Sequence, residues 1–293
     1  MDLIVHGGAG SAPEEPEPRQ RALDAAATAG TAENSPLDAV EVAVRALEHD
    51  PRFNAGVGSS VQADGIPRTD AGVMTSDRSI GAAASMPGVE HAVTVARVVM
   101  EETPHVQIAG VHAVDLAEQF GVPVEVDLWC DRTREHWDDL GGPPRHLGVQ
   151  VDWVNEQYGE ADSGGGEEGP TGTVGAVARE DEQIAAATST GGRWAALAGR
   201  VGDVPQVGSG FFATEAAGAS ATGAGEDIVR TTVAKEAVGA VEDGMDADAA
   251  ATAAIDAFGD HATGTAGVIV ADADGRLGSA FDSEAMQTAT ARR

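Results

Sequence analysis

The apolar positions fall into two kinds of block. Residues 3–5, 173–178, 184–188, 266–271 and 277–281 are short, nearly unbroken runs of Val, Ile, Leu and Ala, the length and pattern of strands. Shorter β-like pieces lie between residues 56 and 86 and at 207–213 and 217–222. Residues 93–101, 111–120, 227–241 and 247–258 repeat their apolar positions at helical spacing, and an alanine-rich helix is predicted from about Arg19, after an acidic, proline-rich loop at 13–18. The best-marked helix follows Ser35. Ser35 is its N-cap, Pro36 occupies the first helical position, and Asp38 completes a capping-box-like pattern. Leu37, Val40, Val44 and Leu47 then line one face, and Pro51 closes the segment.

From about Trp137 to Thr171 the periodicity fades, and residues 155–172, rich in Gly, Glu and Ser, read as a flexible linker. Order resumes at once, with 173–178 and 184–188 pairing around the polar turn Glu180-Asp181-Glu182. Strands and helices come in separate runs rather than alternating, so an α+β fold with antiparallel sheets and helices on their faces is predicted, and no tandem repeat is evident.

Charge narrows the function. Asp and Glu number 48 against 18 Lys and Arg, a formal net charge of -30, and Lys235 is the only lysine. Such a surface repels phosphate backbones and anionic headgroups, which argues against nucleic acid and membranes as partners. Disorder is not implied, because 42% of the residues are hydrophobic and can build a core. An acidic surface suits high salt, where its self-repulsion is screened. Cys130 is the only cysteine, so neither an intrachain disulfide nor a cysteine-based zinc site is expected. The first residues lack the basic and long apolar regions of a signal peptide, and no run approaches the roughly 20 apolar residues of a membrane span. A halophilic, cytoplasmic location is the expectation.

Several familiar constellations are missing: no Gly-x-Ser-x-Gly elbow, no Gly-Lys-Ser/Thr phosphate loop, no His-Glu-x-x-His helix. His6-Gly7-Gly8-Ala9-Gly10 reads as a tight turn after a buried strand, or more weakly as an anion-cradling loop. The sharper feature is Gly172-Thr173, where an acidic linker ends and an apolar strand begins on a threonine. A threonine hydroxyl is a poor nucleophile without a base, and its own α-amino group can serve once the preceding peptide bond is cut. A strand that opens on a β-branched residue looks the same, so the junction alone does not decide. Two further clusters matter. Thr and Gly turns at 187–192 and 221–226 offer hydroxyls and N–H groups for an oxyanion. Arg200 and Asp203, three apart, suit the carboxylate and ammonium of an amino acid, though a surface ion pair fits the spacing equally.

These pieces resemble the isoaspartyl peptidase/L-asparaginase family, the plant-type asparaginases among the N-terminal nucleophile hydrolases. His6-Gly7-Gly8-Ala9-Gly10, Phe53-Asn54-Ala55-Gly56-Val57-Gly58, Gly172-Thr173-Val174-Gly175, residues 187–192, 199–203 and 222–226 occur in the family's order across nearly the whole chain. The resemblance implies a four-layer αββα sandwich in a single domain, residues 1–293. It implies a precursor cut between Gly172 and Thr173 into an α chain of 172 residues and a β chain of the remaining 121, with two such pairs forming an (αβ)2 assembly. Thr173 would be the nucleophile, Thr190 would orient it, Thr222 and the Gly223 N–H would form the oxyanion hole, and Asn54 would help organise the site. Arg200 would hold the substrate α-carboxylate, Asp203 its amino group, and Gly225 would shape the pocket. Catalysis would need no cofactor. A structural sodium ion would be held by backbone carbonyls of Leu47, Glu48, Asp50, Phe53, Ala55 and Val57, a plausible oxygen donor set for a hard cation.

Two places depart from the family's pattern: Arg68-Thr69-Asp70-Ala71-Gly72 stands where an acidic or apolar residue before Asp-Ala is more usual, and Ala224 stands where a second threonine is common. The implied substrates are L-asparagine and β-aspartyl dipeptides, which share an aspartyl side-chain amide and differ in the leaving group. A glycosylasparaginase-type hydrolase and a non-catalytic small-molecule binder remain alternatives at this stage.

Overall fold

The computed structural model describes residues 1–158 and 172–293. Its elements run β1 (Asp2–Gly10), α1 (Pro16–Thr31), α2 (Pro36–Glu48), β2 (Arg68–Thr75), β3 (Ile80–Pro87), α3 (Ala92–Glu102), β4 (Gln107–Ala109), α4 (Val111–Gln119), α5 (Asp131–Asp139) and α6 (Leu147–Tyr158). After Thr173 come β5 (Val174–Glu180), β6 (Gln183–Thr190), β7 (Phe211–Ala213), β8 (Ala217–Gly223), α7 (Gly225–Thr231), α8 (Val233–Glu242), α9 (Ala247–Gly259), β9 (Ala266–Asp272), β10 (Leu277–Phe281) and β11 (Ala285–Arg292). The content is mixed helix and sheet, as the α+β expectation requires.

The strands form a seven-stranded sheet, β11-β1-β5-β6-β2-β3-β4, and a four-stranded sheet, β10-β9-β8-β7. Side-chain alternation sorts their residues between packing partners. On β1, Leu3 and Val5 join a core with α1, α2 and α3, while Ile4 joins a second core that includes Ile269 and Phe211 of the other sheet. On β5, Val174, Ala176 and Ala178 go to the helix side and Val177 to the other sheet. The four-stranded sheet packs Ala219, Ala221 and Val268 against α8 and α9 in a third core. Strands buried on both faces have no reason to alternate apolar with polar, which is why β5 and β6 read as continuous runs.

Several expectations change. The His6 to Gly10 segment is not a turn after the strand but its second half, with a pairing irregularity between His6 and Ala9 and Gly8 at φ +104°. The sheets are not wholly antiparallel, since β4 pairs with β3 in parallel. The helix at 227–241 is two helices, divided at Thr232, which adopts a left-handed conformation. The stretch from Trp137 is not featureless: α5 ends there and α6 follows, so residues 155–158 of the expected linker are helical, and the rest up to 171 lies outside the described residues. A further strand, β11, closes the sheet against β1.

The α2 start is as read. Ser35 Oγ accepts from the Asp38 N–H at 3.2 Å and donates to the Asp38 carboxylate at 2.7 Å, a cap contributing about 1 kcal/mol. Among the described residues no helix is long and apolar enough to cross a membrane.

Candidate active site

Three strands and one loop bring the chemistry together. Thr173 sits just before β5, Thr190 ends β6, and Thr222 is the penultimate residue of β8, followed by Gly223. Thr173 Oγ1 donates to Thr190 Oγ1 at 3.1 Å, and Thr190 Oγ1 in turn accepts the Gly192 N–H at 3.1 Å. Thr190 is buried and has little rotational freedom once these bonds form.

Asn54 clamps the same point from the loop after α2. Its Nδ2 donates to the Gly192 carbonyl at 2.7 Å, and its Oδ1 accepts the Ser60 N–H at 2.7 Å. Its backbone carbonyl accepts the Gly191 N–H at 2.7 Å, and its backbone N–H donates to the Gly172 carbonyl at 3.0 Å. The carbonyl of the Gly172–Thr173 bond is therefore already held by a hydrogen-bond donor.

Thr222 Oγ1 accepts the Ala9 N–H at 3.3 Å. Gly223 has φ +138°, and a Cβ there would run into the Thr265 carbonyl, so only glycine turns the chain here. A cleft of about 1550 Å³ takes in Asn54, Thr173, Thr190, Thr222, Arg200 and Asp203, together with Gly172, Gly223 and Gly225. Every residue expected to catalyse or bind substrate thus opens onto one space.

Beside Arg200 and Asp203 the structure adds a residue that the sequence reading did not assign. Arg200 does not pair with Asp203 but grips Glu226, with Nε to Oε1 at 2.8 Å and Nη2 to Oε2 at 2.7 Å. Burial alone would lower the Arg200 pKa, but the Glu226 bonds and the nearby Asp203 and Asp70 charges raise it. Glu226 is correspondingly lowered against its own desolvation, by Arg200 and by Arg193. Asp203 is buried and its pKa rises to about 6, chiefly by desolvation, with Arg200 opposing. Its Oδ2 has no hydrogen-bond partner among the described residues, an acceptor suited to an ammonium. Gly225 opens α7 at this point: a Cβ would sit 2.7 Å from Asp203 Oδ1 and 2.9 Å from Arg200 Nη2. Asp70, also buried, rises to about 7 through desolvation, although the Ser85 N–H donates to it at 2.6 Å. Its neighbour Arg68 pairs with Asp64 at 2.8 Å.

The asparaginase family model matches residues 1–293. The chain belongs to the asparaginase family. It is 39% identical to the plant-type L-asparaginase of Pyrococcus abyssi, over 98% of this chain and 95% of the relative. It is 40% identical to the plant-type L-asparaginase of Thermococcus kodakarensis over the same shares, and 36% identical to the isoaspartyl peptidase/L-asparaginase of Rattus norvegicus over 99% and 86%.

Two more basic side chains of this family member border the site. Arg19, from α1, donates to the Gly7 carbonyl and lies 4.9 Å from the Phe53 ring centroid. It also approaches Gly172, since a Cβ on that glycine would be 3.0 Å from Arg19 Nη2. Arg132, from α5, donates through Nη2 to the carbonyls of Pro51 and Gly58, each at 3.0 Å. Phe53's carbonyl lies 3.5 Å from the same nitrogen.

That second contact bears on the expected cation loop. The carbonyls of Leu47, Glu48 and Asp50 accept the N–H groups of Asp50, Val57 and Phe53 at 3.2, 2.9 and 3.1 Å. Each keeps a second lone pair, so these three oxygens of the expected set can still face a hard cation, whereas the Phe53 carbonyl faces the Arg132 guanidinium. The Glu48 side chain is engaged elsewhere, accepting from Ser189 Oγ at 2.6 Å and the Val93 N–H at 3.0 Å. Among the described residues no cluster of His, Cys, Asp and Glu forms a metal site.

Proposed function

We propose that this protein hydrolyses the side-chain amide of L-asparagine and of β-aspartyl dipeptides, using the hydroxyl of Thr173 after cleaving its own Gly172–Thr173 bond. The observation that carries this is the hydrogen bond from Thr173 Oγ1 to Thr190 Oγ1, made while Asn54 holds the Gly172 carbonyl in the same cleft. The names of the relatives, L-asparaginase and isoaspartyl peptidase, agree with it.

In self-cleavage, Thr173 Oγ attacks the Gly172 carbonyl carbon. The Asn54 N–H, 3.0 Å from that carbonyl oxygen, is placed to meet the developing negative charge. The C–N bond breaks, leaving an ester on Oγ and a free α-amine on Thr173. Water hydrolyses the ester, restores the hydroxyl and frees the Gly172 carboxylate. The α-amine, ordinarily with a pKa near 7.7–8.0, then serves as the base.

In turnover, Oγ attacks the substrate amide carbonyl, with Thr222 and the Gly223 N–H as oxyanion donors. Ammonia leaves from asparagine, an amino acid from a β-aspartyl dipeptide, and water releases aspartate from the ester. Arg200 would share its guanidinium between Glu226 and the substrate carboxylate, and Asp203 Oδ2 would accept the substrate ammonium.

The three separate cores support an αββα order of layers in a single domain. An (αβ)2 assembly, a sodium ion on the carbonyls of residues 47–57, and a salt-rich cytoplasm are part of the same proposal. The deciding experiment is turnover of L-asparagine and a panel of β-aspartyl dipeptides by the processed protein in low and molar salt. Release of neither ammonia nor amino acid under any condition would sink the reading.

A further inference from the structure

The three site threonines arrive on strands from two different sheets, so something must fix one sheet against the other. Among the described residues the core between the sheets is mostly apolar, and a row of polar side chains runs through it. His6 Nε2 lies 2.9 Å from Ser220 Oγ, and Ser220 Oγ lies 2.6 Å from Thr188 Oγ1. Thr188 Oγ1 donates to the Gly210 carbonyl at 2.8 Å. All three side chains are fully buried. The chain of bonds passes from β1 in the larger sheet to β8 in the smaller, back to β6, and on to the loop before β7.

The donors can be ordered. The Gly8 N–H donates to His6 Nδ1 at 3.3 Å, which leaves the ring proton on Nε2. Nε2 therefore donates to Ser220. Since the Thr188 proton is committed to Gly210, Ser220 donates to Thr188. Every hydroxyl in the row gives and receives one bond. Burial, the main cause, lowers the His6 pKa to about 3, so the ring stays neutral.

Two members of this row lie two residues along a strand from a site threonine, and the third lies across the ladder from such a position. Thr188 precedes Thr190 on β6, and Ser220 precedes Thr222 on β8. His6 pairs across the ladder with Gly175 on β5, two residues after Thr173. Positions two apart on a strand share a face. The intervening residues point the other way: Ser189 reaches Glu48 on α2, Ala221 enters the core with α8, and Val174 enters the core with α2. Gly175 leaves room for the row, since a Cβ there would collide with Ser220 Oγ and His6 Nε2.

We propose that the buried His6–Ser220–Thr188 row is a positioning device that locks the two sheets in register, so that Thr173, Thr190 and Thr222 converge on one reacting carbon. The row touches no substrate and acts through the strands. It rests on the proposed role of Thr173, and it assigns to His6, Ser220 and Thr188 a part in both self-cleavage and turnover. Arg200 and Asp203 lie outside it, on the loop after β6, so substrate anchoring should be spared.

The test compares Ser220→Ala, Thr188→Val, His6→Gln and His6→Leu with the wild type for extent of self-cleavage, kcat and KM on L-asparagine, and thermal midpoint. Displacing a nucleophile by about 1 Å can cost about a hundredfold. Ser220→Ala and Thr188→Val should therefore lower kcat by about tenfold to a hundredfold, slow self-cleavage, and leave KM within about twofold. His6→Gln, whose amide N–H reaches toward the position of Nε2, should retain more kcat than His6→Leu. If Ser220→Ala does not fold, Thr188→Val and the Gln-against-Leu comparison carry the test. Folded variants with wild-type kcat and self-cleavage overturn the proposal, as do losses confined to KM or to the thermal midpoint. A wild type without turnover would instead count against the hydrolase reading.

Discussion

Replacing Asp203 with Asn should make the protein more stable and nearly inactive at once. The buried carboxyl has its pKa raised from 3.8 to about 6, chiefly by desolvation. For an acid, a raised folded-state value means that folding opposes ionisation. Below about pH 4 both folded and unfolded chains hold the proton, so there is no penalty. Between about pH 4 and 6 the unfolded chain gives up the proton first, and stability falls as pH rises. Above about pH 6 the penalty is complete, about 3 kcal/mol at about 1.4 kcal/mol per pH unit. Asn has nearly the same shape and no charge to desolvate. In an uncleaved Thr173→Ala background, urea unfolding in fixed molar salt should show Asp203→Asn more stable than its parent by up to about 3 kcal/mol at pH 7.5, shrinking toward zero at pH 4. Catalysis should move oppositely. Asn cannot balance the substrate ammonium, and leaving a buried charge without its partner costs about 3–5 kcal/mol, at least about a hundredfold in kcat/KM. Wild-type kcat/KM should likewise fall about tenfold per unit below about pH 6, as Asp203 takes up its proton. A stability difference that does not depend on pH, or an Asp203→Asn enzyme within about twofold of wild type, would refute the reasoning.

Arg200→Lys removes the planar fork that must serve Glu226 and a carboxylate together, so KM on L-asparagine should rise about tenfold or more; unchanged kcat/KM would reject that role. Gly225→Ala places a methyl against Asp203 and Arg200, and should lower kcat/KM by about tenfold with the fold intact by circular dichroism; full activity would show that the pocket has slack there. With a net charge of -30, the unfolding midpoint should rise from low to molar salt with KCl and choline chloride alike. A further rise seen only with NaCl is expected from an ion on the carbonyl loop of residues 47–57, whereas equal midpoints in NaCl and KCl would argue against it, and a flat response to all three salts against adaptation to salt.

The sequence was most informative where one physical cause dominates. Ser35, Pro36 and Asp38 announce α2 because capping is local, and the apolar runs announce β5 and β6 because both their faces are buried. Thr173, Thr190 and Thr222 were legible through ordered short motifs, not through periodicity. What the sequence hides depends on partners far along the chain. The Arg200–Glu226 pair spans 26 residues, and its acid looked like one more charge in an acidic chain. His6 stood inside a glycine run, with no sign that it would meet a serine 214 residues away. The α5 helix, Asp-Arg-Thr-Arg-Glu-His-Trp-Asp-Asp, has no apolar stripe to reveal it. It docks instead through Trp137, whose ring meets Trp129 and Trp194 at centroid distances of 6.0 and 6.2 Å. β11 is hidden in the sequence because Thr and Gln break up its small apolar residues, and it is anchored by its ladder with β1.

The central claim is that Thr173 becomes a chain terminus and then the nucleophile. Intact-mass measurement of the purified protein, with Thr173→Ala beside it and L-asparagine turnover recorded on both, tests this most directly. The account predicts a wild type in two pieces, the second beginning at Thr173 and containing 121 of the 293 residues, and active. It predicts Thr173→Ala as one inactive chain of the full 29.6 kDa. An uncut wild type that still releases ammonia, a cut at another bond, or a Thr173→Ala variant with wild-type turnover would contradict it.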